Sequence, residues 1–346
     1  YLNGTRIAQQ SNVFVPLHLD VSDHLQTRNV LLLHFRTVFD PSCPSPVPIR
    51  FVDGDPTRPV RRQQNNYNTY LGPNPYYSRV GVCQDVILER VGVAELQTLD
   101  VDVSVSQDLG AGHVRIQTVG TSDSADLRLE ARLVAPDGGE AGRMALRPIV
   151  SGGSYSTSCA LEVRDPELWW PRGYGGQPLY QLEVTLAARG VVEQRAFRTI
   201  GFRRITMPEM LHFEVNGRPV RLWGANWVSP DWVTSVWNQD KVERLLNMAE
   251  HAHFNCMRVW GVVEAPEDPF YELADRRGIL LWQDFTVLPL QPDELSRAAC
   301  RHEAAALVRR LKHHASLLMW CGGNEAAMWN ESAFGGPGGE WSGRAA

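Results

Sequence analysis

Several things are missing from this sequence, and each absence narrows the reading. No apolar run reaches the roughly 18 residues of a membrane-spanning helix. The six cysteines (Cys43, Cys83, Cys159, Cys256, Cys300 and Cys321) form no CxxC pair, and no histidine stands at metal-ligand spacing beside them. They read as mostly buried free thiols. Basic residues are not in excess, with 34 Lys and Arg against 39 Asp and Glu and a formal net charge of -5, and they are scattered rather than clustered. A glycine-rich phosphate loop and a nucleophile elbow are both absent. No metal, cofactor, nucleic-acid partner or membrane partner is therefore expected. The opening Tyr1-Leu-Asn-Gly has neither an initiator Met nor a signal-like segment, and it reads as the cut end of a longer chain. Localisation (cytoplasmic, periplasmic, secreted or lysosomal) and oligomeric state are left open.

What is present is enough apolar residue for more than one core. At 346 residues and 43% hydrophobic content, two or three domains are expected. Residues 1–90 alternate short apolar runs with turn residues. Asn3-Gly4 is a two-residue hairpin signal, and strands are predicted around Asn12 to Pro16, Asn29 to Arg36 and Asp85 to Glu89. Residues 39–77 are rich in Pro, Asn and Tyr and read as a long connection. Over 91–205 the period is two, in Leu99 to Val105, His113 to Gln117, Leu127 to Leu133 and Tyr180 to Leu186, which suggests an antiparallel β-sandwich.

From 206 to 346 strands alternate with amphipathic helices, the grammar of a parallel sheet. Strands are predicted at Val220 to Gly224, Cys256 to Trp260, Ile279 to Gln283 and Ser316 to Trp320. Between them lie a helix with Val242, Leu245, Leu246 and Ala249 on one face, a helix capped by Asp268 with Pro269 at its first position and Gly278 at its end, and a helix carrying Leu307, Val308 and Leu311. Four such strands make half of a (β/α)8 barrel, whose functional side chains stand at the C-terminal strand ends. Those ends carry Asn226 and Trp227, Arg258 and Trp260, Gln283 and Asp284, and Asn324 with Glu325. Tryptophan offers a flat apolar face to a sugar ring, and Asn, Asp and Arg bond hydroxyls. Arg258 and Asp284 could equally form a structural ion pair, and Trp227 and Trp260 could be packing. His251, His253, His313 and His314 fall on or near helix ends and read as solvated or capping. Trp169 and Trp170 read as core or interface residues.

These residues resemble the β-mannosidase branch of glycoside hydrolase family 2. The resemblance is carried by Phe213-Glu-Val-Asn-Gly-Arg-Pro-Val-Arg-Leu-Trp-Gly-Ala-Asn-Trp, Asn255-Cys-Met-Arg-Val-Trp-Gly, Phe270-Tyr-Glu-Leu-Ala-Asp, Gly278-Ile-Leu-Leu-Trp-Gln-Asp-Phe, the Asn324-Glu325 pair and Leu168-Trp-Trp-Pro-Arg-Gly-Tyr-Gly-Gly-Gln-Pro-Leu-Tyr. It implies a partial jelly roll over 1–90, an immunoglobulin-like β-sandwich over 91–205 and the first half of a TIM barrel over 206–346. It further implies retaining exo-hydrolysis of a β-linked oligosaccharide or glycoside. Glu325 matches the general acid/base and Asn324 the residue that bonds the sugar's 2-hydroxyl. The nucleophile Glu would lie beyond Ala346, so residues 1–346 alone are expected to be inactive, because the two carboxyl groups must stand about 5 to 5.5 Å apart.

Two passages depart from the family pattern. A Trp-rich pocket loop is here Gln63-Gln-Asn-Asn-Tyr-Asn-Thr-Tyr-Leu-Gly-Pro-Asn-Pro-Tyr-Tyr, and a glycine-rich turn is Val262-Val263-Glu264, with Glu264 the one match to a pocket-side acid. Both bear on which sugar is bound. β-Glucosidic, β-galactosidic, β-glucuronidic or exo-β-glucosaminidic cleavage stays open beside β-mannoside, as does a non-catalytic carbohydrate-binding role.

Overall fold

The computed structural model describes residues 1–10, 14–35, 81–82, 85–228, 230, 237–261, 265–285 and 294–324. The long connection at 39–77, Glu264 and Glu325 lie outside the described residues.

Eight strands build the middle of the chain: β1 (Ala94–Val105), β2 (Ala111–Ser122), β3 (Leu127–Val134), β4 (Glu140–Leu146), β5 (Val150–Ser151), β6 (Ser154–Arg164), β7 (Tyr180–Ala188) and β8 (Val191–Ile200). They form two antiparallel sheets, in the orders β1-β2-β6-β5 and β4-β3-β7-β8. Along β2 buried and exposed residues alternate almost without fault, because successive side chains of a strand point to opposite faces. The inward sets of the two sheets meet in one core. Leu99, Val101, Val114, Ile116 and Leu161 come from the first sheet, and Leu129, Leu133, Leu182, Val184 and Ile200 from the second. The period-two reading of this segment thus gives a sandwich.

Residues 1–93 differ from expectation. The Asn3-Gly4 turn is there: both residues have positive φ (51° and 86°), and Leu2 and Thr5 exchange backbone hydrogen bonds of 2.8 and 2.9 Å, which is the two-residue hairpin geometry that Asn-Gly favours. Beyond it, the described residues of this stretch hold an isolated Leu2 to Leu31 bridge and one 3₁₀ turn at Ser22–His24, but no strand. The strand predicted at Asp85 to Glu89 is irregular, with Val86, Ile87 and Leu88 all exposed. An apolar run becomes a strand only when it has a neighbour to pair with, and none is present for it among the described residues.

A three-stranded antiparallel sheet follows: β9 (Ile205–Glu209), β10 (His212–Val215) and β11 (Arg218–Val220). Val220 therefore closes a hairpin instead of opening the parallel sheet. The β10 to β11 turn is again Asn-Gly with positive φ, at Asn216 and Gly217. The Asn216 side chain does further work: Oδ1 accepts from Arg204 N at 2.8 Å, and Nδ2 donates to Trp169 O at 3.0 Å.

The last segment alternates β12 (Gly224–Trp227), α1 (Gln239–His251), β13 (Cys256–Val259), α2 (Asp268–Arg277), β14 (Leu280–Asp284), α3 (Glu294–Leu311) and β15 (Leu317–Cys321). The four strands lie side by side in sequence order, all parallel. Asn238 caps α1, its side chain accepting from Lys241 N at 3.0 Å. Helix α2 starts one residue earlier than predicted: Glu267 holds the N-cap position, Asp268 is the first helical residue, and Gly278 ends the helix at φ 69°. The strand faces divide cleanly. Trp227, Met257, Val259 and Leu281 pack under Val242, Leu246, Phe270 and Leu311 of the helices. On the other face, Cys256, Leu280 and Leu318 meet Trp169, Phe213, Val215 and Val220 from the preceding segments.

That second cluster joins sandwich to parallel sheet at the strands' N-terminal ends. Trp169, 0% exposed, donates its indole N–H to Asp275 O at 2.8 Å. Arg203 donates to the carbonyls of Ala315, His314 and Leu317 at 2.9, 3.2 and 3.2 Å. Asp275 accepts from Ser316 N at 2.7 Å and lies 2.6 Å from His314 Nδ1. Lys312 pairs with Asp100 and Asp102 of β1 at 2.6 and 2.7 Å. Gly201 is required by this approach, since a Cβ there would stand 2.7 Å from that of Ala315.

Candidate functional site

The opposite, C-terminal ends of the parallel strands bring together residues from three of them. Register aligns Asn226, Arg258 and Trp282 across β12, β13 and β14. Arg258 reaches from β13 across to β14, donating from Nε to Asp284 Oδ1 at 3.1 Å and from Nη2 to Asp284 Oδ2 at 2.5 Å. This bidentate grip is the strong form of an arginine-carboxylate pair, because two parallel N–H···O bonds fix the guanidinium plane. The same Nη2 donates to Asn324 Oδ1 at 3.0 Å, just past the end of β15. One guanidinium thus ties three strand ends into a single constellation. Its charged face also lies 5.9 Å from the Trp282 ring, within reach of a cation–π contact.

Asp284 is sealed beneath this arrangement. Its side chain is 0% exposed, and Oδ2 also accepts from Gly261 N at 3.2 Å. Glycine is needed there: a Cβ on Gly261 would lie 2.7 Å from Asp284 Cβ and 2.5 Å from the Phe285 carbonyl. Burying a carboxylate without such donors would carry a large desolvation cost. Asp284 has no surface left to offer a ligand. The expectation that Asp284 bonds a sugar hydroxyl is corrected accordingly, and the structure realises the ion-pair alternative.

Trp227 also departs from expectation. It is 5% exposed and packs on Phe270 with ring centroids 4.6 Å apart, on the helix side of the sheet. Adjacent strand residues face opposite ways, so Asn226, which is exposed, and Trp227 cannot both look out of the same face. Trp260 is half-buried just after β13 and continues the ladder, its N–H donating to Trp227 O at 3.1 Å. Gln283 faces the helices, where Tyr271 donates its hydroxyl hydrogen to Gln283 Oε1 at 2.7 Å, and burial pushes the Tyr271 phenol pKa upward.

Two features at this end were not singled out from the sequence. Trp282 lies beneath Arg258, and Phe285 stacks on Trp320 with centroids 5.3 Å apart and planes 9° from parallel. Strand periodicity would have put Trp282 on the Arg258 face, since the two are register partners. The thiol of Cys256 is inert by comparison, burial pushing its pKa up to about 12. His313 and His314 are buried rather than solvated, whereas His251 and His253 are exposed as expected. Among the described residues no group of His, Cys, Asp and Glu is placed to hold a metal ion, and no helix is long and apolar enough to cross a membrane.

The arrangement is a rigid polar platform: a neutralised Arg–Asp pair that presents a carboxamide at the rim, with a carboxyl group, Glu325, next in the chain. Comparison with known proteins agrees with that character. The family model of glycosyl hydrolases family 2 matches residues 94–203, the sandwich. The chain is 28% identical to β-mannosidase B of Aspergillus clavatus over 96% of its own length, and 25% identical to the β-mannosidase of Mus musculus over 93%. It spans about two fifths of those relatives, 41% and 39% respectively. In structure it is similar to the β-D-mannosidase of Dictyoglomus thermophilum, with a TM-score of 0.62 and 27% identity over 68% of this chain and 30% of that one. The exo-chitosanase of Amycolatopsis orientalis shares the fold at a TM-score of 0.59 and 21% identity, over 70% and 30%. With the Arg-Val-Trp-Gly and Trp-Gln-Asp-Phe passages at the ends of parallel strands behind a sandwich that the family model matches, the chain is similar to the β-mannosidases of glycoside hydrolase family 2.

Proposed function

We propose that the protein is a retaining exo-glycosidase acting on β-linked sugars, with β-mannosides as its substrates. The four parallel strands correspond to the first half of a (β/α)8 barrel, and the N-terminal residues to part of a jelly roll. Glu325 is the general acid/base. It protonates the departing glycosidic oxygen, then takes a proton from the water that releases the sugar, while a Glu beyond residue 346 forms the glycosyl-enzyme. Asn324 bonds the 2-hydroxyl, Arg258 holds it, and Asn226, Trp260 and Glu264 are further substrate-binding residues.

The observation that supports this reading is the hydrogen bond from Arg258 to Asn324, which holds Asn324 just past the end of β15, with Glu325 next in the sequence. Family 2 chemistry needs the acid at that strand end, because functional groups of such sheets gather at the C-terminal side. The test is turnover of nitrophenyl β-glycosides by the intact protein, with mannoside, glucoside, galactoside, glucuronide and glucosaminide compared. A preference for mannoside is expected, and another preference would overturn the sugar assignment. Glu325→Gln tests the role. It should abolish turnover of an alkyl glycoside, whose leaving oxygen needs the proton. A dinitrophenyl glycoside, whose leaving group does not, should still show formation of the intermediate.

A further inference from the structure

We propose that Asp284 is a positioning residue which, through Arg258, locks the Asn324 carboxamide with its NH2 turned toward the substrate, so that the site selects for a hydrogen-bond acceptor at the sugar's 2-position. This rests on the glycosidase reading of Asn324 and Glu325 and says how that site is held.

The argument starts from donor counting. A guanidinium has N–H donors and no acceptor. The carboxamide atom 3.0 Å from Arg258 Nη2 must therefore be oxygen, which fixes the orientation of the amide. The NH2 then points the other way. Among the described residues no partner accepts from it, and we assign the ligand as its acceptor.

Arg258 could not do this by itself. Its long side chain has several soft torsions, and only a second point of attachment fixes where the guanidinium lies. Asp284 provides it, gripping Nε and Nη2 together while Gly261 N–H fills the remaining side of Oδ2. Being fully buried, Asp284 reaches the substrate only through Arg258, whose side chain is 27% exposed. Supporting residues of this kind commonly change activity by about 10 to 100-fold when removed. Recognition follows from the fixed polarity. A 2-hydroxyl accepts from Asn324 Nδ2, a 2-deoxy sugar has no acceptor, and a protonated 2-amino sugar would bring donor against donor.

The experiment compares kcat/KM of the intact protein for a nitrophenyl β-glycoside it hydrolyses and for the 2-deoxy analogue. Wild type should favour the 2-hydroxy substrate. Asp284→Asn should lose about 10 to 100-fold on that substrate and leave the analogue nearly unaffected, so the ratio collapses while thermal melting still shows a folded protein. Asn324→Ala should collapse the ratio too, and the double variant should be no worse than Asn324→Ala alone, because the two residues act in series. Equal losses on both substrates, or additive losses in the double variant, would overturn the inference. Should Asp284→Asn fail to fold, Arg258→Lys carries the test, since an ammonium keeps the charge and cannot grip both partners; an unchanged ratio would again overturn it. A wild type that cleaves no β-glycoside defeats the functional reading and this inference together, whereas an active wild type with an unchanged variant ratio defeats the inference alone.

Discussion

Asp275→Ala should destabilise the protein by about 3 to 5 kcal/mol, the penalty for breaking a buried charged network by removing one member. Asp275 is fully buried in α2, and its two carboxylate oxygens serve His314 Nδ1 at 2.6 Å and Ser316 N at 2.7 Å. Alanine keeps the helix and keeps the backbone carbonyl that accepts from Trp169. What it removes are the acceptors, orphaning two buried donors at about 1 to 3 kcal/mol each. It also removes the negative charge facing Arg203, whose pKa is lowered by burial and supported by Asp275. Set against a typical total of about 5 to 15 kcal/mol, the loss is a large fraction. Asp275→Asn should cost less, because one oxygen remains for Ser316 N. The assay is denaturant or calorimetric unfolding of the intact protein, following the transition that includes the parallel sheet. A loss under about 1 kcal/mol for Asp275→Ala would refute the reasoning, since it would mean that entering water satisfies the orphaned groups.

Two other outcomes follow from the same region. His313 is buried, and burial first, then the charges of His314, Arg198 and Lys312, lowers its pKa from 6.5 to about 2. The unfolded chain therefore binds the extra proton below pH about 6.5. Stability should be full above that pH and fall as the medium is acidified, by up to about 1.4 kcal/mol per pH unit; a His313→Gln variant should show a flatter stability profile between pH 6 and 4.5, and an equal slope would contradict this. Gly201→Ala places a Cβ 2.7 Å from that of Ala315 and 3.1 Å from that of Trp169, so overpacking should cost about 1 to 3 kcal/mol, read as a lowered melting temperature.

Much of this structure could be read in the sequence because period and pairing share a cause. β1, β2, β3 and β7 show alternation because one face of each is buried in the sandwich core, and β13, β14 and β15 read as apolar runs because both faces are covered. Where reading failed, the missing information was a neighbour. Asp85 to Glu89 has strand composition without a partner, and Val220 has strand composition with a different one, β10. At the candidate site, residue types at strand ends pointed to Arg258, Asp284 and Asn324, and the structure joins these three. It could not be read that Asp284 lies under Arg258 rather than beside it, because that depends on how closely Gly261 approaches. The error over Trp227 was avoidable: alternation already forbids it the face of Asn226. Buried histidines escaped notice because their partners, Asp275 above all, are about forty residues away in the chain.

The joint between sandwich and parallel sheet has a consequence for how such a protein changes over time. Trp169, Arg203, Asp275 and Lys312 all bind at the strands' N-terminal ends, while Asn324 stands at the far ends. Exposed rim residues such as Asn226 can therefore be exchanged without touching the joint. A change at the exposed rim of this architecture needs no change at the joint.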